Sequence, residues 1–184
     1  MSTLKVNTIN AATSGQAVAV AVQNPRSFRN LIINGAMQVA QRGTSSTGEG
    51  YATDRWKVAY ANLDEAPTIS QHALTSSDTG PWAKGFRYSS HIQNGAQTSG
   101  AGASDYLAFS YSIEAQDMAQ SGWDYTSTSS YITLSFWVKS SIGQNFYGYI
   151  RTRDGTAQNF SIETGSLSAN TWTKITIKIP GASG

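Results

Sequence analysis

The chain has 184 residues, of which only 13% are charged, and its polarity comes instead from 25 serines and 19 threonines. This composition excludes a protein built of long surface helices, which need Glu, Lys and Arg, whereas aromatic residues at 11% and abundant Thr favour strands. The absence of cysteine excludes disulfides and thiolate metal sites. No stretch approaches the roughly 20 apolar residues that cross a bilayer, so membrane insertion is not expected.

Residues 1–30 differ from the rest and form a candidate arm. Small alternating residues dominate it, and its charges are all basic. The rest of the chain has 10 basic and 11 acidic residues and is therefore near neutral, which argues against nucleic acid as a partner. Because it has almost no large side chain, the arm cannot fold alone and is expected to order against another protein. A frayed terminus is the alternative. The candidate attachment residues are Leu4, Lys5, Val6, Val18, Val20, Val22, Arg26 and Arg29.

From residue 31 onward the sequence is typical of an antiparallel β protein. Asn34-Gly35 indicates a turn, and Arg42 to Gly50 is predicted to be a loop. The clearest strand is 131–139, where Ile132, Leu134 and Phe136 alternate with polar residues. We predict an all-β, antiparallel jelly-roll sandwich over 31–184, preceded by the extended arm. The predicted strands are 54–60, 68–74, 86–92, 106–113, 131–139, 146–153 and 172–179, with one short helix at 113–120.

The residues that carry chemistry do not predict an enzyme. Asp64-Glu65 is typical of a polar turn, and Glu114 with Asp117 are acids at a helix start, where they favour the helix dipole. No Gly-x-Ser-x-Gly elbow or phosphate loop is present. His72 and His91 lack metal-ligand spacing, and His91 is interpreted as an exposed strand residue. We therefore expect no catalytic residue, no metal ligand and no cofactor.

A binding surface is the more promising prediction. On strand 146–153, Tyr147, Tyr149 and Arg151 share one face, and the neighbouring strand is expected to add Trp137. Aromatic rings and the planar guanidinium suit sugars, which have an apolar CH face and a hydroxyl rim. The same side chains are also typical of cross-strand packing and subunit interfaces, so both interpretations stay open.

Several stretches together resemble a known family. They are NLIINGAMQVAQRG at 30–43, YATDRW at 51–56, SIEAQDMA at 112–119, LSFWVKSS at 134–141 and NTWTKITIKIPG at 170–181, with STLKVNTI at 2–9. In this order and spacing they resemble tail-fibre-like virion proteins of marine bacteriophages, especially cyanophages.

The resemblance implies a virion structural protein of the phage tail whose main domain is similar to jelly-roll carbohydrate-binding modules. It implies attachment to other phage tail proteins through residues 1–30, a homotrimer, and contact with host-surface polysaccharide. Calcium is implied by the resemblance alone, because no loop here has the alternating acids of a calcium site. Resembling chains continue beyond IPG, so we expect the domain 31–184 to be incomplete at its C-terminus. The alternatives are a structural connector or capsid decoration protein without ligand and, less favoured, a polysaccharide depolymerase.

Overall fold

The structure is a computed structural model that describes residues 30–153 and 155–182. In these residues the chain forms nine strands, one short helix and one 3₁₀ turn at Trp82–Lys84, and every strand pair is antiparallel. The prediction of an all-β antiparallel fold is therefore confirmed. The elements are β1 (Ser45–Thr47), β2 (Trp56–Ala61), β3 (Thr68–Ala73), β4 (Tyr88–Gln93), β5 (Tyr106–Tyr111), α1 (Ala115–Gln120), β6 (Tyr131–Val138), β7 (Asn145–Arg151), β8 (Asn159–Ser166) and β9 (Thr173–Pro180).

The seven predicted strands and the short helix are all present, with ends that differ by a few residues. Two strands were missed. β1 lies inside the segment 42–50, which was predicted to be a loop, and β8 was not predicted. The predicted turn at Asn34 is confirmed, since Asn34 has a φ of 57° and its carbonyl accepts a hydrogen bond from the Met37 amide at 3.0 Å.

The predicted arm cannot be compared with the structure. Its candidate attachment residues lie outside the described residues, which begin at Asn30. The arm and its role therefore stay predictions. The residues concerned are Leu4, Lys5, Val6, Val18, Val20, Val22, Arg26 and Arg29.

The strands pair in two nested groups. In the first group β2 pairs with β5 and encloses the pair β3–β4 in chain order, while β1 extends that pair to a three-stranded sheet. In the second group β6 pairs with β9 and encloses β7–β8. Among the described strands, none of the first group pairs with one of the second. The pairing is that of an antiparallel β fold, and the jelly-roll topology stays a prediction.

The first group has its own core between two sheets. Val58 and Ile69 are fully buried, and Ala52 lies with them, packed against Ile92 and Phe109. Val58 and Phe109 are paired on one sheet, and Ile69 and Ile92 are paired on the other. Since alternate residues of a strand point to opposite faces, these two sheets meet through their apolar faces.

The second group follows the predicted period of two. In β6 the half-buried residues alternate with exposed ones, and in β9 Ile175 and Ile179 are buried. Ile175 pairs with Phe136, and Ile179 pairs with Ile132. One face of this sheet is therefore apolar, and the other carries the polar residues.

Asp78 joins the two groups. Its Oδ1 accepts hydrogen bonds from Trp172 Nε1 at 2.9 Å and from Lys139 Nζ at 2.9 Å, and its Oδ2 accepts one from the Thr75 amide at 3.0 Å. Its side chain is only 12% exposed. Among the hydrogen bonds of the described residues, those between 30–120 and 131–182 both end on Asp78. This carboxylate therefore fixes the connection between β3 and β4 to the ends of β6 and β9.

Gly80, in the same loop as Asp78, also contacts the second strand group, since it lies against the ring of Trp137 in β6. Its φ of 94° lies in the region that glycine prefers, and a Cβ placed there would lie 2.7 Å from the ring of Trp137. The loop can therefore lie flat against this indole only because position 80 has no side chain. The loop 76–82 is thus held at the sheet by Asp78 and Gly80 together.

Replacing Asp78 by Ala should lower the free energy of unfolding by about 2 kcal/mol, because four hydrogen bonds to a largely buried carboxylate are lost, the fourth from the Thr75 hydroxyl. Urea unfolding at neutral pH, followed by tryptophan fluorescence, measures the change. The matched control is Lys139→Met, which removes the ion pair and the contact of Lys139 Nζ with the Trp172 ring but leaves the other donors to Asp78, and it should cost about 0.5 kcal/mol. Equal midpoints for wild type and Asp78→Ala would contradict the role of this carboxylate.

The difference in stability between the wild type and Asp78→Ala should depend on pH. The hydrogen bond from Trp172, together with those from Thr75 and Lys139, lowers the pKa of Asp78 from its ordinary value of 3.8. The stabilisation is therefore fully present above pH 3.8 and is lost as the pH falls below it. The difference in stability between wild type and Asp78→Ala should shrink in that range, and a difference independent of pH would argue against an ionic role.

Candidate functional site

The outer face of β7 and β8 carries the predicted site. In β7 the side chains of Tyr147, Tyr149 and Arg151 are exposed, and those of Phe146 and Ile150 on the other face are half-buried. Gly148 lies on the inner face, where a Cβ would come 3.2 Å from Ile162 of β8. The inner face thus packs across the strand pair, and the tyrosines are left pointing outward.

β8 supplies polar partners to this face. Glu163 is paired with Tyr147, Ser161 with Tyr149, and Asn159 with Arg151. Because directly opposed residues share a face, the outer surface combines two phenol rings, a guanidinium, a carboxylate, an amide and a hydroxyl. We call this surface the tyrosine face. It consists of Tyr147, Tyr149, Arg151, Asn159, Ser161 and Glu163.

A β-bulge sets the position of Glu163. The register shifts between Asn145 and Tyr147, and the Asn145 Nδ2 donates a hydrogen bond to the Glu163 Oε2 at 2.8 Å. The bulge leaves the Phe146 amide without a partner in the strand ladder, and this amide donates a hydrogen bond to the Thr164 Oγ1 at 2.9 Å instead. The carboxylate beside Tyr147 is therefore held in place as a hydrogen-bond acceptor.

The two tyrosines are far more exposed than packing alone requires. Tyr147 is 80% exposed and Tyr149 is 62% exposed. Within the described part of the chain, the side chains of Tyr147, Tyr149 and Arg151 take part in no hydrogen bond, ion pair or ring contact. On one strand face, successive residues lie about 7 Å apart, so the two rings form neighbouring platforms. The surface thus offers apolar ring faces together with unused donors and acceptors.

Trp137 does not belong to this surface. β6 is hydrogen-bonded to β9, and β7 is hydrogen-bonded to β8, so the expectation that β6 lies beside β7 was wrong. The indole of Trp137 instead lies against Gly80 and is half-buried. Its role in the structure is to receive the loop that Asp78 anchors.

Three of the acids considered for catalysis, Asp64, Glu65 and Glu114, anchor loops or pair with a base. The Asp64 carboxylate accepts hydrogen bonds from the Ser99 amide at 2.7 Å and the Thr98 amide at 2.6 Å, which lower its pKa. Glu65 accepts one from the Ala96 amide at 2.6 Å. These contacts hold the loop 93–104 against the turn at 64–65. The prediction that the protein is not an enzyme remains open.

A concave surface lies where the described chain begins. It has a volume of about 270 Å³ and is placed between residues 30–33, Arg55 and the start of α1. The Arg55 Nη1 donates to the Glu114 Oε1 at 3.0 Å, and this bond lowers the pKa of Glu114. The Arg55 guanidinium in this depression is already paired with the Glu114 carboxylate, whereas the guanidinium of the tyrosine face is unpaired. The depression therefore has fewer unpaired polar groups with which to bind a ligand.

Over residues 30–153 and 155–182, no group of three or more His, Asp or Glu side chains is placed to hold an ion. Calcium stays an implication of the resemblance alone. In the same residues, no helix has the length and apolar character needed to span a membrane.

Comparisons with protein-family models, with curated proteins and with solved structures give no match to this chain.

The tyrosine face should be dispensable for stability. Replacing Tyr147 and Tyr149 together by Thr, which keeps the strand preference, should change the free energy of unfolding by less than about 0.5 kcal/mol. Ile150→Ala on the inner face of the same strand should cost about 2 kcal/mol, since it opens space in a packed layer. Chemical denaturation of the three proteins tests this contrast. A loss from the double variant as large as that from Ile150→Ala would show that the tyrosines pack structurally.

Proposed function

We propose that this protein is a phage tail fibre or tail-associated virion structural protein that binds host-surface polysaccharide through the tyrosine face. The observation that supports this most is the pair of exposed rings, Tyr147 and Tyr149, beside a fixed carboxylate and an unpaired guanidinium. The tail assignment itself rests on the resemblance of the sequence to tail-fibre-like virion proteins of marine bacteriophages.

The composition of the face favours sugar over a buried subunit contact. A sugar ring presents axial CH groups to an aromatic face and hydroxyls at its rim, and the rim needs both donors and acceptors. Arg151 supplies donors, Glu163 supplies acceptors, and Ser161 supplies both. Glu is depleted from the centre of protein interfaces, whereas here Glu163 lies directly opposite Tyr147.

Several further parts of the proposal come from the resemblance. The main domain is assigned the jelly-roll topology of carbohydrate-binding modules, and the protein is assigned to the virion tail. Residues 1–30 dock on other tail proteins, and a homotrimer presents three copies of the tyrosine face. Because linked sites raise each other's effective concentration, a weak single-site affinity is sufficient for attachment.

Loss of either ring should weaken polysaccharide binding. The Tyr147→Thr and Tyr149→Thr variants should each bind at least about tenfold more weakly to surface polysaccharide from marine cyanobacteria, which corresponds to about 1.4 kcal/mol per ring. Biolayer interferometry on immobilised polysaccharide measures this loss. The matched control is Tyr106→Thr, since Tyr106 is a strand tyrosine that is 51% exposed in the first strand group.

Unchanged binding by both variants would discard the tyrosine face as the contact. Burial of the two tyrosines between subunits in the assembled particle would favour the structural connector or decoration protein instead. Release of reducing ends from the polysaccharide would favour the depolymerase.

Deleting residues 1–30 tests the arm separately. The truncated protein should keep its β-sheet circular dichroism and its polysaccharide binding, because the two described cores and the tyrosine face lie beyond residue 30. It should no longer be incorporated into particles when it replaces the full chain. Quantitative immunoblotting of purified virions measures incorporation, and a normal level would show that the attachment assignment is wrong.

A further inference from the structure

In the sheet formed by β1, β3 and β4, five of the eight paired residues on the outer face carry hydroxyl groups. Ser70 is paired with Ser45 on one side and with His91 on the other, and His72 is paired with Ser89. Along the paired positions of this face no Asp, Glu, Lys or Arg occurs. Its residues are Ser45, Thr47, Thr68, Ser70, His72, Ser89, His91 and Gln93.

The two histidines meet on this face. His72 and His91 occupy diagonal positions on neighbouring strands, and both side chains are exposed. Their ring centroids lie 5.6 Å apart, with the planes tilted by 48°. They are the only histidines in the sequence, which also has no cysteine. The strand register therefore brings together every imidazole that the chain possesses.

We propose that His72 and His91 together bind a divalent transition-metal ion of the zinc class. Neutral imidazole is a preferred ligand of Zn²⁺, Cu²⁺ and Ni²⁺. Two imidazoles bound to one zinc through bonds of about 2.0–2.1 Å in tetrahedral geometry hold their ring centroids about 5 Å apart. The separation of 5.6 Å between the two rings is close to that distance.

The sheet makes the pair a chelate instead of two separate ligands. β3 is the central strand and is hydrogen-bonded on both edges, so the backbone that carries His72 is fixed against the one that carries His91. Once one imidazole has bound the ion, the second is already near it, which raises its effective concentration. With two protein ligands, the remaining coordination positions are open to water. The site is therefore an exchangeable surface site.

The spacing of the two histidines in the sequence does not predict that they meet. The residues are 19 positions apart in the chain, and spacing rules for metal ligands refer to single helices or loops. The exposure of His91 was predicted correctly. Its neighbour could be identified only after the register between β3 and β4 was known.

The experiment uses the full chain without a polyhistidine tag and zinc chloride as the probe. Isothermal titration should show one zinc per chain for the wild type, and His72→Asn and His91→Asn should each weaken binding by at least about tenfold, since each leaves a single ligand. Gln93→Ala, on the same face, should bind like the wild type. Circular dichroism checks that every variant is folded.

Nuclear magnetic resonance gives a second measurement. The wild type has only two sets of imidazole signals, and both should shift at the same ratio of zinc to protein. Weak zinc binding that is equal in wild type and both histidine variants would overturn the proposal, and the contact between the two imidazole rings would then have no role in metal binding. A shift of one imidazole alone would overturn it as well. The zinc site is independent of the tyrosine face, so polysaccharide binding by His72→Asn should be unchanged.

Discussion

One carboxylate, that of Asp78, accepts the hydrogen bonds that join two β structures whose strands do not pair with each other, and Gly80 packs beside it against the indole of Trp137. Each strand group has its own apolar residues, Val58 with Ile69 in one and Ile175 with Ile179 in the other, and no described strand pairs across the groups. Asp78 replaces such pairing by accepting hydrogen bonds from both Lys139 and Trp172. Because a largely enclosed carboxylate that loses its donors is costly, this contact fixes the relative position of the groups more strongly than a fully exposed ion pair would.

The period of two along the strands determines which surfaces remain available for binding. In β7 the inner face packs onto β8 at Gly148, and the side chains of Tyr147, Tyr149 and Arg151 on the outer face are exposed. In β3 and β4 the inner residues Ile69 and Ile92 belong to the core, and the outer positions hold hydroxyls and imidazoles. Both candidate sites are thus the outer faces of strands whose other face supplies stability.

The sequence predicts strands well and their neighbours poorly. Alternation of large apolar and polar residues located β6 and β9, because burial of one face produces that pattern directly. β8 was missed since its alternation rests on only Phe160 and Ile162 among polar residues, with Gly165 at a φ of 69° near its end. Exposure of Tyr147 and Tyr149 followed from the pattern, whereas the place of Trp137 depended on pairing that no local pattern encodes.

Tertiary contacts also decide what the charged residues do. With so few charges in the chain, each acid that finds donors becomes a structural anchor: Asp64 holds the loop 93–104, and Asp78 holds the loop 76–82. Hydrogen bonding to the ionised form lowers the pKa of both carboxyls, whereas a general acid needs a raised one. The surfaces left for recognition are consequently aromatic, hydroxyl and imidazole surfaces with little net charge. Such surfaces interact through ring contacts and hydrogen bonds, which salt screens far less than it screens exposed charges.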